Sequence, residues 1–242
     1  MTPEGTPDMP PDTAPEMTPA APPLTLVTGA SRGIGLGLVE AAAAAGEAVI
    51  GTHRGTAPAT AGVEWLMLDV ADPEAPDRLA RSLGGRPVSL LVCNAGIYPD
   101  KGATLAGGYG PDDWAATFAV NVTGVFLTIR ALLPNLAAAP RPRIAIIASQ
   151  MGSSGRARGG SYIYRASKAA AINLGRNLAL DLAPQGIAVG IYHPGWVRTD
   201  MGGGAADIDV YTAVTGLRAR FAALSPATSG CFQSYDGTPM EF

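Results

Sequence analysis

From Leu24 onward, short apolar runs alternate with longer segments of helical composition. The first run, LTLVT, leads into a Gly-rich turn and then into GLGLVEAAAAAG, whose Ala and Leu content favours a helix that ends at Gly46. Between the later runs, helices are predicted over about 73–83 and 111–136, in the segment that contains Tyr164, and over about 209–224. Six further apolar runs predict strands: EAVIGT, VEWLMLDV, VSLLVCNAG, RIAIIAS, IAVGIYHPG and the region of GCFQSYDG.

Near-continuous apolar strands that alternate with helices are typical of a parallel sheet covered on both faces. We therefore predict an α/β fold over residues 24–242, a single Rossmann-like doubly wound parallel sheet with helices on both faces. Ligands of such sheets bind beyond the carboxyl ends of the strands. The polar residues that directly follow each strand are therefore the candidates for chemistry.

Composition narrows the class of protein. The formal net charge is −3 without a basic block, which argues against a nucleic-acid partner. Cys93 and Cys231 lie far apart without a CxxC motif or a nearby His pair, so neither a disulfide framework nor a metal site is expected, and a reducing cytoplasm fits. No run of about 18 uncharged apolar residues predicts a membrane span.

The first 23 residues differ from the rest of the chain. Eight of them are prolines and almost none are large and apolar, so the segment cannot bury enough surface to offset its ordering entropy. We predict a disordered Pro-rich tail over residues 1–23. The tail lacks the basic start and the apolar run of a signal peptide.

Several strand ends carry candidate residues, each of which alone could equally be an ordinary cap or turn. The first strand is followed by TGASRGIG, residues 28–35, whose glycines let the backbone turn tightly and approach a pyrophosphate at the N-terminus of the next helix. Asp69, after the third strand, could accept a hydrogen bond from an adenine amino group. The other strand ends present Val70, then Asn94, Ala95 and Gly96, then Ser149, and finally Pro194, Gly195 and Thr199.

The stretch GGSYIYRASKAA raises the question of which tyrosine pairs with Lys168. Helical residues four apart lie on one face, at about 100° per residue, which pairs Tyr164 with Lys168 and leaves Tyr162 on a largely opposite face. Alone, this spacing is a weak motif, and a surface tyrosine beside a solvated lysine is the alternative. Asn121, a poor helix former in the middle of a predicted helix, also requires an explanation.

Taken together, these motifs resemble the classical short-chain dehydrogenase/reductase family over about residues 24–236. Two departures are Cys93, where the family often has Asn, and Ser89, where it often has Asp. The segment after the sixth strand is short, which implies a small substrate lid. The motifs follow in the order of the family: TGASRGIG, Asp69-Val70, NAG, Asn121, Ser149, Tyr164-x-x-x-Lys168 and Pro194-Gly195.

The resemblance implies hydride transfer between a nicotinamide and the carbonyl or alcohol carbon of a small, apolar substrate. Tyr164 would be the general acid in reduction and the base in oxidation, and Lys168 would lower its pKa and hold the nicotinamide ribose. Ser149 would bind the substrate oxygen, and Asn121 would hold a water that links Lys168 to solvent. The implied cofactor contacts are Gly29, Ser31, Arg32, Gly33, Ile34, Gly35, Arg54, Asp69, Val70, Asn94, Ala95, Gly96, Tyr164, Lys168, Pro194, Gly195, Val197 and Thr199.

The end of the second strand bears on the choice of nicotinamide. Folds that bind NAD usually place a carboxylate there, whereas this strand ends VIGTHRG, with Thr52 and His53 in the expected acidic place and Arg54 next. A guanidinium can bind a 2′-phosphate with two parallel hydrogen bonds, and Arg32 could supply a second cation. We therefore expect NADP(H) over NAD(H), although both arginines could instead be solvated.

Other interpretations remain open. The fold also serves nucleotide-binding regulators or signalling proteins with little turnover, but a chain that retains Asn121, Ser149, Tyr164 and Lys168 favours an enzyme.

A homodimer or homotetramer is the assembly that the family implies. His193 and Cys93 are expected to be packed and inert, and Arg156 and Arg158 to be solvated rather than bound to an anionic substrate or acyl carrier. Four residues could line an apolar substrate pocket or pack at hinges: Tyr98, Met151, Trp196 and Met201.

Overall fold

A single seven-stranded sheet organises the protein, whose computed structural model describes residues 22–242. The predicted tail lies outside the described residues, apart from Pro22 and Pro23. All strands run parallel, and each of the seven predicted strands is observed. They are β1 (Leu24–Val27), β2 (Ala48–His53), β3 (Glu64–Met67), β4 (Leu90–Cys93), β5 (Arg143–Ile147), β6 (Ala188–His193) and β7 (Phe232–Ser234), in the spatial order β3-β2-β1-β4-β5-β6-β7.

Helices connect successive strands, as the alternating pattern predicts. The second of them begins two residues later than expected, because the carboxylate of Asp72 first accepts the backbone N–H of Glu74 in a turn. The helices are α1 (Gly33–Ala44), α2 (Ala75–Leu83), α3 (Pro111–Phe118), α4 (Gly124–Ala137), α5 (Tyr162–Asp181) and α6 (Val210–Ala223).

The long helix expected over 111–136 is continuous but not uniform. Between α3 and α4, Ala119–Thr123 form one π-helical turn, and Asn121 lies at its centre. A π turn inserts an extra residue into the helical ladder and is frequent at functional sites. Asn121, which is unfavourable in an α-helix, therefore lies where the helix changes locally to a π turn.

Successive strand residues pack on opposite faces of the sheet. Leu26 and Leu91 contribute to one apolar cluster, which α2, α4 and α5 cover. Their neighbours Val27 and Val92 contribute to a second cluster, which α1 and α6 cover. The fold is thus a doubly wound parallel sheet with helices on both faces, as predicted from the sequence.

One helical run, Pro111–Ala137, is long and apolar enough to cross a membrane by length and composition, although the sequence predicted no such segment. Three of its apolar residues, Ile129, Leu132 and Leu136, are buried against the sheet. A core helix passes the same test of length and composition, so this run is weak support for a membrane span.

The spatial order of the strands reverses beside β1. From β1 the chain first adds β2 and β3 on one side and then β4 to β7 on the other. Such a switch point opens a crevice at the carboxyl ends of the central strands. The fold therefore directs the segments that follow β1, β4, β5 and β6 toward one site.

Candidate active site

A cavity of about 460 Å³ lies at the carboxyl ends of the central strands. Most of the predicted site residues line it: Gly29, Ser31, Arg32, Gly33, Ile34, Arg54, Val70, Asn94, Ala95, Gly96, Tyr164, Lys168, Pro194 and Thr199. Met201, a candidate for the apolar substrate pocket, also lines it, as do residues that sequence reasoning did not select, among them His53, Ile97, Arg198, Asp200 and Val210. Six predicted residues are not part of this lining: Gly35, Asp69, Asn121, Ser149, Gly195 and Val197.

The Gly-rich turn after β1 packs directly on the turn after β4. A Cβ atom on Gly29 would lie 2.8 Å from the Cα atom of Ala95, so only glycine permits this approach. Asn94 joins the turns, because its Nδ2 donates to the carbonyl oxygens of Thr28 and Gly29, each at 3.0 Å. A Cβ on Gly35 would lie 2.5 Å from the same nitrogen. Gly35 thus shapes the turn from beneath rather than lining the cavity.

The N-terminus of α1 borders the cavity and suits an anion. The N-cap residue, Arg32, has extended backbone, and no side chain caps the first amides of this helix. Ser31, Gly33 and Ile34 line the adjoining wall. Uncapped N–H groups at a helix N-terminus bind phosphate well, so the pyrophosphate of a dinucleotide fits here.

At the end of β2, the three residues have different roles. Thr52 is fully buried, and its hydroxyl accepts the backbone N–H of Gly29 at 3.1 Å, so it supports the Gly-rich turn. His53 and Arg54 line the cavity. Within residues 22–242, no carboxylate forms an ion pair with Arg54.

Arg32, the expected second cation, is already paired. Its guanidinium lies 3.0 Å from the carboxylate of Asp200, and both side chains are well exposed. Asp200, in the segment after β6, lines the same cavity and was not predicted. To contact a cofactor phosphate, the guanidinium of Arg32 would therefore have to leave the carboxylate of Asp200 or bind both groups at once.

Three of the predicted cofactor residues support the cavity wall from behind. The carboxylate of Asp69 accepts the N–H of Ala71 at 3.1 Å in a local turn, which accounts for its absence from the cavity lining. Gly195 has φ +89, and a Cβ there would lie 2.6 Å from the side chain of Ile208. Val197 is buried. A direct contact of these three residues with a cofactor stays a prediction.

Tyr164 and Lys168 lie together on the buried face of α5. Their relative exposures are 7% and 5%, whereas Tyr162 is 39% exposed. The Lys168 Nζ atom lies 5.7 Å from the centroid of the Tyr164 ring and donates to the carbonyl oxygen of Ile147 at 2.9 Å. The helical register argued from the sequence is the observed one.

Burial dominates the ionisation of this pair. It raises the pKa of Tyr164 to about 12, against a smaller lowering by the hydrogen bond from Ser149. Burial also lowers the pKa of Lys168 to about 8. Lys168 is not among the causes of this shift, and its ammonium donates to the carbonyl oxygen of Ile147, so the net shift of the Tyr164 pKa is opposite to the lowering expected from Lys168. Tyr164 is consequently a neutral phenol at neutral pH.

Ser149 caps a short turn beside Tyr164. It is buried, and its Oγ atom accepts the N–H of Met151 at 3.1 Å, so it caps the short turn Gln150–Gly152. Its side chain also lowers the pKa of Tyr164, which places it near the phenol. The cap fixes Ser149 beside the phenol.

Asn121 joins the loop after β4 to α5. Its Oδ1 accepts the N–H of Ile97 at 2.9 Å, and its Nδ2 donates to the Ile97 carbonyl and to the Ser167 hydroxyl, both at 3.0 Å. A Cβ on Gly96 would lie 3.3 Å from this Oδ1 and 3.5 Å from the Nζ of Lys168. Asn121 therefore lies close to Lys168, and a water that bridges the two stays a prediction.

Gly152 brings the segment after β5 against α5. A Cβ on Gly152 would lie 2.6 to 2.8 Å from backbone atoms of Lys168 and Ala169, which cannot turn aside as a side chain could. We expect Gly152→Ala to destabilise the fold by about 1–3 kcal/mol, because the two segments must separate. The melting temperature should fall by about 2–4 °C per kcal/mol, and kcat should fall with it.

The matched control for this substitution is Gly204→Ala, whose added methyl group would meet no atom within 4 Å. Calorimetry on both variants checks the expectation. Equal melting temperatures for Gly152→Ala and wild type would show that the close approach is not required.

The residues expected to be inert are buried, as predicted. Burial raises the pKa of the Cys93 thiol to about 12 and lowers the pKa of His193 to about 4, so neither is charged at neutral pH. Arg156 donates to the side chain of Gln150. Among residues 22–242, no group of three His, Cys, Asp or Glu side chains is placed to hold a metal ion.

Sequence comparison places this geometry among known proteins. A profile described as short chain dehydrogenase matches residues 23–207. The chain is 39% identical to the C-signal protein of Myxococcus xanthus over 154 residues, which cover 63% of this chain and 91% of that protein. It is 34% identical to the 3-oxoacyl-(acyl-carrier-protein) reductase FabG of Escherichia coli over 187 residues, which cover 74% and 75% of the two chains.

Solved structures give the same result. The NADPH-bound carbonyl reductase from chicken fatty liver is 31% identical with a TM-score of 0.82, over 90% of this chain and 98% of that one. Carbonyl reductase Sniffer of D. melanogaster is 30% identical with a TM-score of 0.84, over 92% and 100%. The chain therefore belongs to the short chain dehydrogenase family, whose members are NAD(P)-dependent oxidoreductases that act on carbonyl and alcohol groups.

Proposed function

We propose that this protein is an NADP(H)-dependent reductase of small, largely apolar carbonyl compounds, which also catalyses the reverse oxidation. One observation carries the proposal. The buried pair of Tyr164 and Lys168 lies in the same cavity as the exposed cation Arg54, with the uncapped N-terminus of α1 bordering that cavity. Carbonyl reduction requires the first of these groups, a 2′-phosphate requires a cation such as Arg54, and a pyrophosphate requires the free amides of a helix N-terminus.

Reduction of a carbonyl adds a hydride to carbon and a proton to oxygen. NADPH, when bound, supplies the hydride. Tyr164 donates the proton, for which its neutral phenol is suited, and Ser149 donates a hydrogen bond to the same oxygen as negative charge develops. Lys168, with a pKa of about 8, is mostly protonated at neutral pH and would hold the nicotinamide ribose. In the reverse direction, Tyr164 accepts the proton of the alcohol.

The substrate side of the cavity supports an apolar compound. The ring of Tyr98 stacks on that of Tyr164, with centroids 4.1 Å apart. Met201 lines the cavity and is 40% exposed, and the nearby Trp196 is 45% exposed. Apolar side chains that surround a few placed polar groups are characteristic of small-molecule sites.

The names of similar proteins also support this choice. A chicken carbonyl reductase of the same fold binds NADPH, and a Burkholderia multivorans short-chain dehydrogenase/reductase, 28% identical, binds NADP. The relative named C-signal raises the alternative of a signalling protein. That alternative is not favoured, because all four of Asn121, Ser149, Tyr164 and Lys168 are retained and lie in or beside one cavity.

Activity is tested by the loss of NADPH absorbance with a panel of aldehydes, ketones and acyl thioesters. Wild-type kcat/KM should be at least about tenfold higher with NADPH than with NADH, since a charge-assisted contact contributes about 1.5–3 kcal/mol. Arg54→Asp should remove this preference, because a carboxylate repels the 2′-phosphate and accepts from a 2′-hydroxyl.

The control for this pair of measurements is Arg81→Asp, which makes the same change of charge on an exposed position of α2 outside the cavity. It should leave the NADPH preference unaltered. Equal use of both cofactors by wild type, or an Arg54→Asp variant that keeps the preference, would contradict the assignment of NADP(H).

A further inference from the structure

A buried carboxylate lies at the start of the helix that carries Tyr164. Asp100 belongs to the loop between β4 and α3 and is 2% exposed. Its Oδ2 atom accepts the backbone N–H of Ile163 at 2.9 Å. The N–H of Tyr164 lies 3.3 Å from Oδ1 and 3.4 Å from Oδ2. Asp100 thus binds two of the free amides in the first turn of α5, one of which belongs to Tyr164 itself.

The residue next to the helix does not serve as its cap. Ser161 has φ +49, an unusual left-handed conformation for a serine, and its side chain makes no capping hydrogen bond. Its hydroxyl instead pairs with that of Tyr98 at 2.5 Å, and its N–H donates to the hydroxyl of Tyr109 at 3.1 Å. The loop that carries Asp100 therefore fixes the start of α5 at every one of these contacts.

The charge of Asp100 has little compensation other than the helix. Among the described residues 22–242, no Lys, Arg or His forms an ion pair with it. The N-terminus of a helix is equivalent to about half a positive charge and stabilises anions. A phenolate at Tyr164 would need stabilisation by the same partial positive charge, which the carboxylate of Asp100 already neutralises in part.

Few other ionisable groups face Tyr164. Lys168 lies on the same helix, Ser149 comes from the segment after β5, and Tyr98 comes from the loop that also holds Asp100. Arg198 and Asp200, from the segment after β6, line the same cavity, but neither contributes to the pKa of Tyr164. Asp100 is thus the carboxylate that acts on the phenol.

We propose that Asp100 is a positioning residue of the active site: it fixes Tyr164 in the first turn of α5, and its negative charge disfavours the phenolate form of Tyr164. The proposal rests on the role of Tyr164 in the proposed function. Burial is the largest cause of the raised pKa of Tyr164, and the charges on Tyr98 and then Asp100 raise it further, which agrees with this placement.

The test is the ionisation of Tyr164 in two variants. Asp100→Asn and Asp100→Ser both keep an oxygen that can accept the helix amides and remove the charge. Ultraviolet titration measures tyrosinate, and subtraction of the same titration in a Tyr164→Phe background isolates the step of Tyr164. The midpoint should fall in both variants, by less than about one pH unit, because burial and the charge on Tyr98 raise the pKa of Tyr164 more than Asp100 does.

The pH profile of turnover gives a second readout. With benzaldehyde and NADPH as the probe, reduction requires the neutral phenol, so the step of the alkaline decline of kcat/KM that comes after the titration of Lys168 near pH 8 should move down in pH by the same amount. A wild-type protein that does not reduce benzaldehyde, with the titration midpoint still shifted in the variants, would count against the proposed function and would support the placement of Asp100.

Asp209 supplies the matched control. Its carboxylate caps α6 by accepting the N–H of Thr212 at 2.8 Å, and it does not contribute to the pKa of Tyr164. Asp209→Asn should lower the melting temperature without moving the Tyr164 midpoint. The proposal is overturned by an unchanged midpoint in both Asp100 variants or by an equal shift in Asp209→Asn. Loss of the fold in both Asp100 variants, with Asp209→Asn folded, would establish a purely structural role and would also overturn it.

Discussion

Replacement of Tyr164 by Phe is expected to lower kcat for carbonyl reduction by at least about a hundredfold, while NADPH binds nearly as tightly as before. The substitution keeps the buried ring and removes only the proton donor, and a positioned general acid contributes about 10²–10⁴-fold. Steady-state kinetics measures the loss, and fluorescence titration with NADPH measures the Kd. A fall in kcat with an unchanged Kd separates proton transfer from cofactor binding.

The control lies two residues away on the same helix. Tyr162 is 39% exposed, and its ring contacts that of Tyr109 edge-on, with centroids 5.2 Å apart. Tyr162→Phe preserves this contact and should change kcat by less than about twofold. If Tyr162→Phe were the inactivating substitution and Tyr164→Phe were not, the assignment of the proton donor would be wrong.

Replacement of Lys168 by Met should abolish most activity and yet stabilise the folded protein at neutral pH. The pKa of Lys168 is about 8 in the fold against an ordinary value of 10.5, so burial of its charged form costs about 3 kcal/mol. Met keeps the apolar stem, and loss of the hydrogen bond to Ile147 offsets about 1 kcal/mol of the gain. The melting temperature should therefore rise by about 5 °C.

The pH dependence of this gain has a definite sign. Below pH 8, Lys168 is charged in both states and the full cost is present. Between pH 8 and 10.5 the unfolded chain binds more protons than the folded one, so wild-type stability rises with pH and the advantage of Lys168→Met fades. Thermal unfolding measured from pH 6 to pH 10 tests this, because the range begins below the folded pKa of about 8 and approaches the ordinary value of 10.5.

Lys101 provides the matched control, since it is the only other lysine of the chain. It is exposed, and its Nζ donates to the carbonyl oxygens of Met201 and Gly202 at 3.0 and 3.1 Å. Lys101→Met should give no stabilisation that disappears at high pH. A Lys168→Met variant less stable than wild type at pH 7 would show that the buried ammonium is better compensated than its surroundings indicate.

Local patterns in the sequence were enough to determine much of this protein. The seven strands, their parallel arrangement and the helices between them follow from apolar runs and helical composition, because both are set by residues close in the chain. The pairing of Tyr164 with Lys168 is equally local, since four residues make about one helical turn. The spacing of the glycines at 28–35 likewise predicted the tight turn between β1 and α1.

Contacts between distant segments could be decided only by the tertiary structure. Asp100 lies 63 positions before Ile163 and reads in the sequence as an ordinary loop acid. The pairing of Arg32 with Asp200 spans 168 positions. The π turn at Asn121 leaves the apolar pattern almost intact, so that pattern predicts one uniform helix. The raised pKa of Tyr164 depends on burial by segments after β4 and β5, because desolvation is a property of the whole fold rather than of the residue and its neighbours in sequence.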